Sequence, residues 1–182
     1  MILNLETDRL ILRPFVMDDA ARVQELAGDK EIAKTTLGMP HPYPIEAAEN
    51  WIKNHPKLME EGMVYPLAMK IKDKNELIGT MTLRVDKHHH KGELAYWVGK
   101  DYWGNGYATE AAKRMVTFGF EVLRLNRIWA MAMSQNPPST KVMKNVGMKY
   151  EGTLKQHIYQ YGVYEDVDIY GFTIKDYREN KM

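Results

Sequence analysis

The sequence predicts a single α+β domain: a mixed, mostly antiparallel central sheet of about seven strands flanked by about four helices. Three observations predict it. The chain has 182 residues, and one domain usually takes roughly 100–200, so residues 1–182 are read as one unit. Short apolar or alternating runs separated by polar turns give antiparallel hairpins in the middle and at the end of the chain. One long segment of helical period, residues 107–123, lies between two apolar runs. That arrangement demands a parallel, right-handed strand–helix–strand crossover.

The elements follow in order. Thr7–Phe15 alternates around Leu10 and Leu12 and reads as a strand that Pro14 ends. Asp18 and Asp19 are placed to cap a helix reaching about Ala27. Lys30–Pro44 reads as irregular, with Gly38, Pro40, Pro42 and Pro44. A second helix begins near Ile45 and aligns Ala48, Trp51 and Ile52 until Pro56 kinks or ends it. Val64–Ile71 and Leu77–Val85 form a hairpin across Asp73–Lys74–Asn75. After a turn at His88–Gly92, Glu93–Val98 reads as a buried strand. Tyr107–Leu123 carries the strongest helical signal. Ala108, Ala111, Ala112, Met115, Gly119, Val122 and Leu123 share one face, and Glu110, Lys113, Arg114 and Glu121 lie opposite. Arg127–Met133 is a strand, and Pro138–Val146 is a short helix stopped by Gly147. Gly152–Gln160 and Tyr164–Ile174 form the last hairpin, turning near Tyr161–Gly162.

Composition narrows the function. Lys plus Arg total 25 and Asp plus Glu 24, a net charge of +1. Such a chain has no basic field to hold a phosphate backbone, so no nucleic-acid partner is expected. The mix of 45% hydrophobic and 27% charged residues is that of a soluble globular domain. There is no Cys, which excludes a disulfide framework, a thiolate zinc site and a covalent Cys intermediate. The opening MILNLETDRLILRPF sets Glu6, Asp8, Arg9 and Arg13 among its apolar residues, unlike a secretory signal. No run approaches the ~18–20 apolar residues of a membrane span. The expectation is a cytoplasmic protein with no membrane partner. Nor is a metal site expected. His88, His89 and His90 are consecutive, cannot all face one ion from a strand, and read as a solvated turn. Met131, Met133, Met143 and Met148 read as core filler.

The chemistry concentrates where Glu93-Leu-Ala-Tyr-Trp-Val98 runs into Gly-Lys-Asp-Tyr-Trp-Gly104-Asn-Gly106-Tyr-Ala108-Thr-Glu110. A buried strand enters a two-glycine loop, and the strongest helix starts there. The first N–H groups of a helix lack intrahelical partners and sit at the positive end of its dipole. Gly104, Gly106 and Ala108 are small enough for a ligand to approach those amides. The combination is a cradle for a phosphate or pyrophosphate. A Walker A loop needs Gly-Lys-Ser/Thr, which is missing. A dinucleotide fingerprint needs Gly or Ala where Thr109 stands, and the preceding strands pair as hairpins instead of βαβ units. A bare glycine loop can also be an ordinary turn.

This stretch resembles the acetyl-coenzyme-A site of the GNAT superfamily of N-acetyltransferases, whose signature is Gln/Arg-x-x-Gly-x-Gly/Ala. Here Trp103 takes the place of Gln/Arg, followed by Gly104-Asn105-Gly106-Tyr107-Ala108. Further matches point to the branch containing the ribosomal-protein-alanine N-acetyltransferases. They are Thr7–Arg13, Leu125-Asn-Arg127-Ile128, Asn136-Pro-Pro-Ser139, Glu151-Gly-Thr-Leu154 and Asp166-Val-Asp-Ile-Tyr170, in order along nearly the whole chain. The resemblance implies acetyl-CoA as cosubstrate. Amides of Gly104, Asn105, Gly106, Tyr107, Ala108 and Thr109 would hold its pyrophosphate. The strand around Trp97 and Val98 would part from Arg127–Met133 to admit pantetheine, and the Val98 amide would polarise the thioester carbonyl. Asn136 and Ser139 would flank the pantetheine arm, and Lys141 and Lys144 could meet the outer phosphate.

Acetyl transfer to an amine needs a base, an oxyanion site and a proton for the departing thiolate. Without Cys, direct attack by the amine in a ternary complex is the favoured route. Glu93 is the leading candidate base, directly or through water; its plain alternative is a rim carboxylate paired with Lys91 or Arg84. Related enzymes sometimes place a carboxylate on the first strand of the last hairpin, where this chain has Ile158. The adjacent His157 alternates to the other face. Ser139 is the implied proton donor, and it also falls at the third position of a helix capped by Asn136. Tyr159, Tyr161 and Tyr164, with Tyr43, Tyr65 and Trp51, could line an acceptor cleft or simply pack. The implied acceptor is a protein N-terminal α-amine. Alternatives are a polyamine, an amino acid or an aminoglycoside, or a coenzyme-binding sensor without turnover.

Overall fold

Leu10 and Leu12 are fully buried, and their alternation places them on one face of strand β2 (Leu10–Pro14). In the computed structural model, which describes residues 3–179, β2 joins the short β1 (Leu5–Glu6) and β3 (Val64–Ile71). The remaining strands are β4 (Glu76–Asp86), β5 (Lys91–Val98), β6 (Arg127–Met133), β7 (Lys149–Gln160) and β8 (Val163–Thr173). They form one sheet in the order β1-β2-β3-β4-β5-β6-β8-β7. Each neighbouring pair is antiparallel except β5–β6. The mixed, mostly antiparallel α+β architecture is therefore as expected.

The helices are α1 (Ala20–Ala27), α2 (Lys30–Thr35), α3 (Ile45–Lys53), α4 (His55–Glu60), α5 (Tyr107–Thr117), α6 (Pro137–Val146) and α7 (Ile174–Glu179). Pro14 is the last residue of β2, opposite Leu67, and ends it as expected. Three corrections follow. An additional strand, β1, precedes the expected one and folds back on β2 through a turn in which Thr7 accepts the Leu10 N–H on its hydroxyl at 2.9 Å. The segment from Lys30 to Pro44 is not wholly irregular. Asp29 caps α2 by accepting the Glu31 N–H at 2.7 Å, and Ile32 and Ala33 are buried. Six residues are too few to display a period, which is why the pattern misses it. Asp18 and Asp19 do not cap α1. The Asp19 carboxylate instead accepts the Val16 N–H at 2.9 Å and both Arg13 guanidinium nitrogens at 2.7 and 2.8 Å.

Pro56 does end α3, but it is tolerated in the first turn of α4, where no N–H is needed. The long helix keeps its predicted span with a wider final turn. At Phe118–Val122 the bonding shifts to i→i+5, the Leu123 N–H reaching the Phe118 carbonyl at 3.1 Å. Helices cover both faces of the sheet. On one, Met69, Met81, Leu83, Leu94, Ala111, Met115, Phe120, Ile128 and Met143 form the larger core beneath α5 and α6. On the other, Phe15, Val23, Ala27, Ala48, Ile52 and Trp97 pack beneath α1 and α3.

His55 is buried beside Phe15 and Trp51, with ring centroids 5.5 and 4.4 Å away. Among the described residues its Nδ1 has no hydrogen-bond partner. Burial pushes its pKa down to about 4. The unfolded chain takes that proton near pH 6.5. Between the two values the unfolded state binds more protons, so stability falls as pH drops from about 6.5 towards about 4. The Asp19 carboxyl is disfavoured by burial but held below its ordinary value by Arg13 and Val16, so its contribution is lost only at lower pH. His55→Phe keeps a ring in place and removes the titration. The difference in urea midpoint between pH 7 and pH 5 is expected to shrink in this variant; an unchanged difference would clear His55 as its source.

Candidate active site

β5 and β6 pair at Lys91–Arg127, Gly92–Ile128 and Glu93–Trp129, and their pairing stops there. β5 remains bonded to β4 as far as Val98, and β6 to β8 as far as Met133. Each strand is thus held by its outer neighbour while the inner edges diverge into a wedge. The Gly99 N–H donates to the Ile78 carbonyl at 2.7 Å. Backbone direction alternates along a strand, so Trp97 also turns its amide to β4, whereas Tyr96 and Val98 turn theirs into the wedge. The Trp97 ring is buried with Phe15 and Val23. The structure therefore brings Val98 to the wedge and commits Trp97, expected there too, to the core.

Trp103, the residue in the signature's Gln/Arg position, donates its indole N–H to the Val98 carbonyl at 2.7 Å, which seats the loop on the end of β5. The loop then turns through Gly104 and Gly106, both left-handed with φ of +77° and +79°, a region costly for residues with a Cβ. The Asn105 side chain donates to the Tyr102 and Trp103 carbonyls at 3.0 and 3.1 Å. The first backbone bond of α5 runs from the Glu110 N–H to the Gly106 carbonyl at 3.0 Å. Among the described residues the N–H groups of residues 104–109 have no acceptor. These are the donors expected of Gly104, Asn105, Gly106, Tyr107, Ala108 and Thr109.

Sequence reasoning missed what braces this loop. Arg9 donates to the Asn105 carbonyl at 3.0 Å and to Glu110 at 2.6 Å. Its guanidinium also lies 4.6 Å from the Tyr107 ring centroid. Thr7 donates to the same Glu110 carboxylate at 2.6 Å. Burial opposes ionisation of Glu110, but Thr7 and Arg9 outweigh it and hold its pKa below the ordinary value. These contacts join residues about a hundred positions apart, beyond any local pattern.

On α6, Asn136 caps the helix, its side chain accepting the Ser139 N–H. The Tyr96 hydroxyl reaches both the Ser139 carbonyl at 3.0 Å and the Ser139 Oγ at 2.9 Å. Burial pushes the Tyr96 phenol up to about 12, against a smaller opposing effect of Ser139. Tyr96 was not expected as a site residue, although it shares parity with Val98 along the strand. Lys141 is exposed. Lys144 sits 5.8 Å from the Tyr170 ring centroid on β8. Glu93 is paired with Arg84 at 3.1 Å and lies five residues, about 17 Å at ~3.3 Å each, from Val98.

A cavity of about 320 Å³ opens at the β6 side of the wedge, lined by Lys34, Met133, Asn136, Gln160, Tyr161, Val163 and Glu165 among others. Gln160 donates to the Ala33 carbonyl at 2.9 Å and Tyr161 to the Met39 carbonyl at 3.0 Å, which closes the last hairpin over α2. No group of three or more metal-ligating side chains occurs among the described residues. No described helix is long and apolar enough to cross a membrane.

The sheet is parted between its central parallel strands, with a run of unpaired helix amides at the mouth of the gap. The chain belongs to the GNAT acetyltransferase family: residues 9–149 match the acetyltransferase (GNAT) domain. It is 32% identical over 167 residues to the N-acetyltransferase YoaA of Bacillus subtilis, covering 91% of this chain and 94% of YoaA. The spermidine N(1)-acetyltransferase of Escherichia coli is 24% identical over 85% of this chain and 81% of its own. The fold matches the ribosomal-protein-S5-alanine acetyltransferase of Vibrio fischeri with a TM-score of 0.84, at 20% identity over 94% of this chain and 96% of the other.

The Tyr96 environment is open to direct measurement. At pH 10, where an ordinary tyrosine is half ionised, a spectrophotometric difference between wild type and Tyr96→Phe is expected to show no phenolate from Tyr96. A half-ionised phenolate there would mean that the hydroxyl is not held under α6.

Proposed function

We propose that this chain moves an acetyl group from acetyl-CoA to a primary amine, foremost a protein N-terminal α-amine, by direct attack in a ternary complex. The observation that carries the reading is the run of unpaired amides at residues 104–109 at the mouth of the parted strands. Those amides suit the coenzyme diphosphate. Pantetheine then takes the place of the missing strand pairing, and the Val98 N–H becomes the donor to the thioester oxygen, strengthened as that oxygen turns anionic. Ser139, beside the wedge and joined to the Tyr96 hydroxyl, is the donor to the departing sulfur. Asn136 flanks the pantetheine arm, and Lys141 is free to meet the outer phosphate.

The N-terminal α-amine is favoured by the motifs shared with the ribosomal-protein branch and by the likeness of fold to a ribosomal-protein acetyltransferase. The spermidine relative supports a small polyamine as the second reading. The cavity offers one carboxylate, Glu165, against one ammonium, Lys34, and so lacks the acidic lining a polycation would seek.

Gly106→Glu is expected to remain folded by circular dichroism and to lose acetyl-CoA affinity by about 100-fold or more. It sets a side chain at a left-handed position and a carboxylate against the diphosphate. Calorimetry reads this directly, and unchanged affinity would remove the site. The acceptor is read by mass spectrometry over a panel of ribosomal-protein N-terminal peptides, spermidine and amino acids. Acetylated peptide is expected; acetylation of spermidine alone would replace the first reading with the second.

A further inference from the structure

The position that carries a carboxylate in some related enzymes is Ile158 here, and Glu93 is tied to Arg84 at the paired end of the wedge. The hairpin supplies another carboxylate at the right height. In the β7–β8 register Ile158 stands opposite Glu165, and cross-strand partners share one face of the sheet. Gln160 and Val163, the next pair on that face, line the same cavity as Glu165. The last paired residues of β5 and β6 are Glu93 and Trp129. Five residues further along, Val98 comes level with Ser134. The Ser134 N–H bonds the Asp166 carbonyl at 2.9 Å, so Glu165, the adjacent residue of β8, stands one position beyond the level of Val98 at the open end of the wedge.

Neighbouring carboxylates are already engaged. Asp166 accepts Lys155 and the Gln156 N–H at 2.7 and 2.8 Å. Asp168 accepts Ser134 and Thr153 at 2.7 and 2.6 Å. Among the described residues, Glu165 has neither a hydrogen bond nor an ion pair through its carboxylate, and it is half-buried in the cavity wall. A half-buried carboxylate left without a partner in the wall of a cavity suits an incoming cation. An acceptor amine arrives as one.

We propose that Glu165 receives the acceptor's ammonium group and takes its proton. This rests on the acetyltransferase reading above. The ammonium gives one proton to the Glu165 carboxylate, and the freed nitrogen lone pair attacks the thioester carbonyl carbon. As the tetrahedral adduct collapses, the C–N bond remains and the C–S bond breaks, its electron pair leaving on sulfur. The thiolate takes a proton from Ser139 and becomes the CoA thiol, the second nitrogen proton restores the Ser139 hydroxyl through water, and the proton on Glu165 passes to bulk water as the one proton released.

The test is thiol release from acetyl-CoA by the purified protein, with an alanine-ended peptide and spermidine as separate acceptors. Glu165→Gln keeps the shape and removes the base. It is expected to lower kcat/KM by about 100-fold or more, the usual weight of a general base, with acetyl-CoA affinity unchanged by calorimetry. Glu165→Asp is expected to recover part of that loss. A Glu165→Gln rate within about tenfold of wild type overturns the assignment, as does a loss confined to KM. A wild-type protein that binds acetyl-CoA but releases no thiol with either acceptor sinks the acetyltransferase reading, and this assignment with it.

Discussion

Two adjacent parallel strands that stop bonding to each other while each stays bonded to its other neighbour govern this structure. β5 and β6 could pair further, since both continue as regular strands beyond Glu93 and Trp129. They do not, because β4 and β8 hold them on diverging courses. Backbone donors and acceptors inside a protein demand partners. An open inner edge therefore amounts to a standing requirement for a ligand that can act as a strand. The Val98 amide, the Trp103 indole, the amides opening α5 and the cap of α6 lie along that edge or at its mouth.

The mouth is electrostatically adjusted as well as shaped. A carboxylate in the first turn of α5 suits the helix dipole but would repel a diphosphate. Glu110 is such a carboxylate, and its charge is balanced by Arg9 while the Thr7 hydroxyl donates a hydrogen bond to it. The positive ends of the amides at 104–109 are left uncontested. Arg9 also bonds the Asn105 carbonyl, so one guanidinium both cancels a charge and fixes the loop.

Much of the fold was legible because long or strongly periodic segments announce themselves. The run from Tyr107, the apolar stretch ending at Val98 and the Arg127–Met133 strand lie where their patterns put them. The pieces that escaped were short: β1 has two residues and α2, α4 and α7 have six each, and their existence depends on caps and packing instead of period. The turn before α5 was readable from Gly104 and Gly106, because left-handed backbone leaves a mark in residue type. The role of Trp97 was misjudged since strand identity alone does not say which edge an amide faces; the Gly99–Ile78 bond does. Tyr96 and Arg9 were invisible for a further reason. Their partners, Ser139 and Glu110, are close only after the sheet and its helices have assembled.

The bond from Arg9 to Asn105 joins positions 96 residues apart. A loop whose geometry depends on such a link cannot mature while the chain is still local structure. It must wait until the first strands have docked at their edge of the sheet and α5 has packed across it. If this loop holds the carrier as proposed, competence to bind it is a late product of assembly, and an occupied loop would in turn restrain the amino-terminal strands from fraying. Proteolytic nicking near the start of the chain should thus be felt at the opposite end of the link, in the grip on the carrier's phosphates.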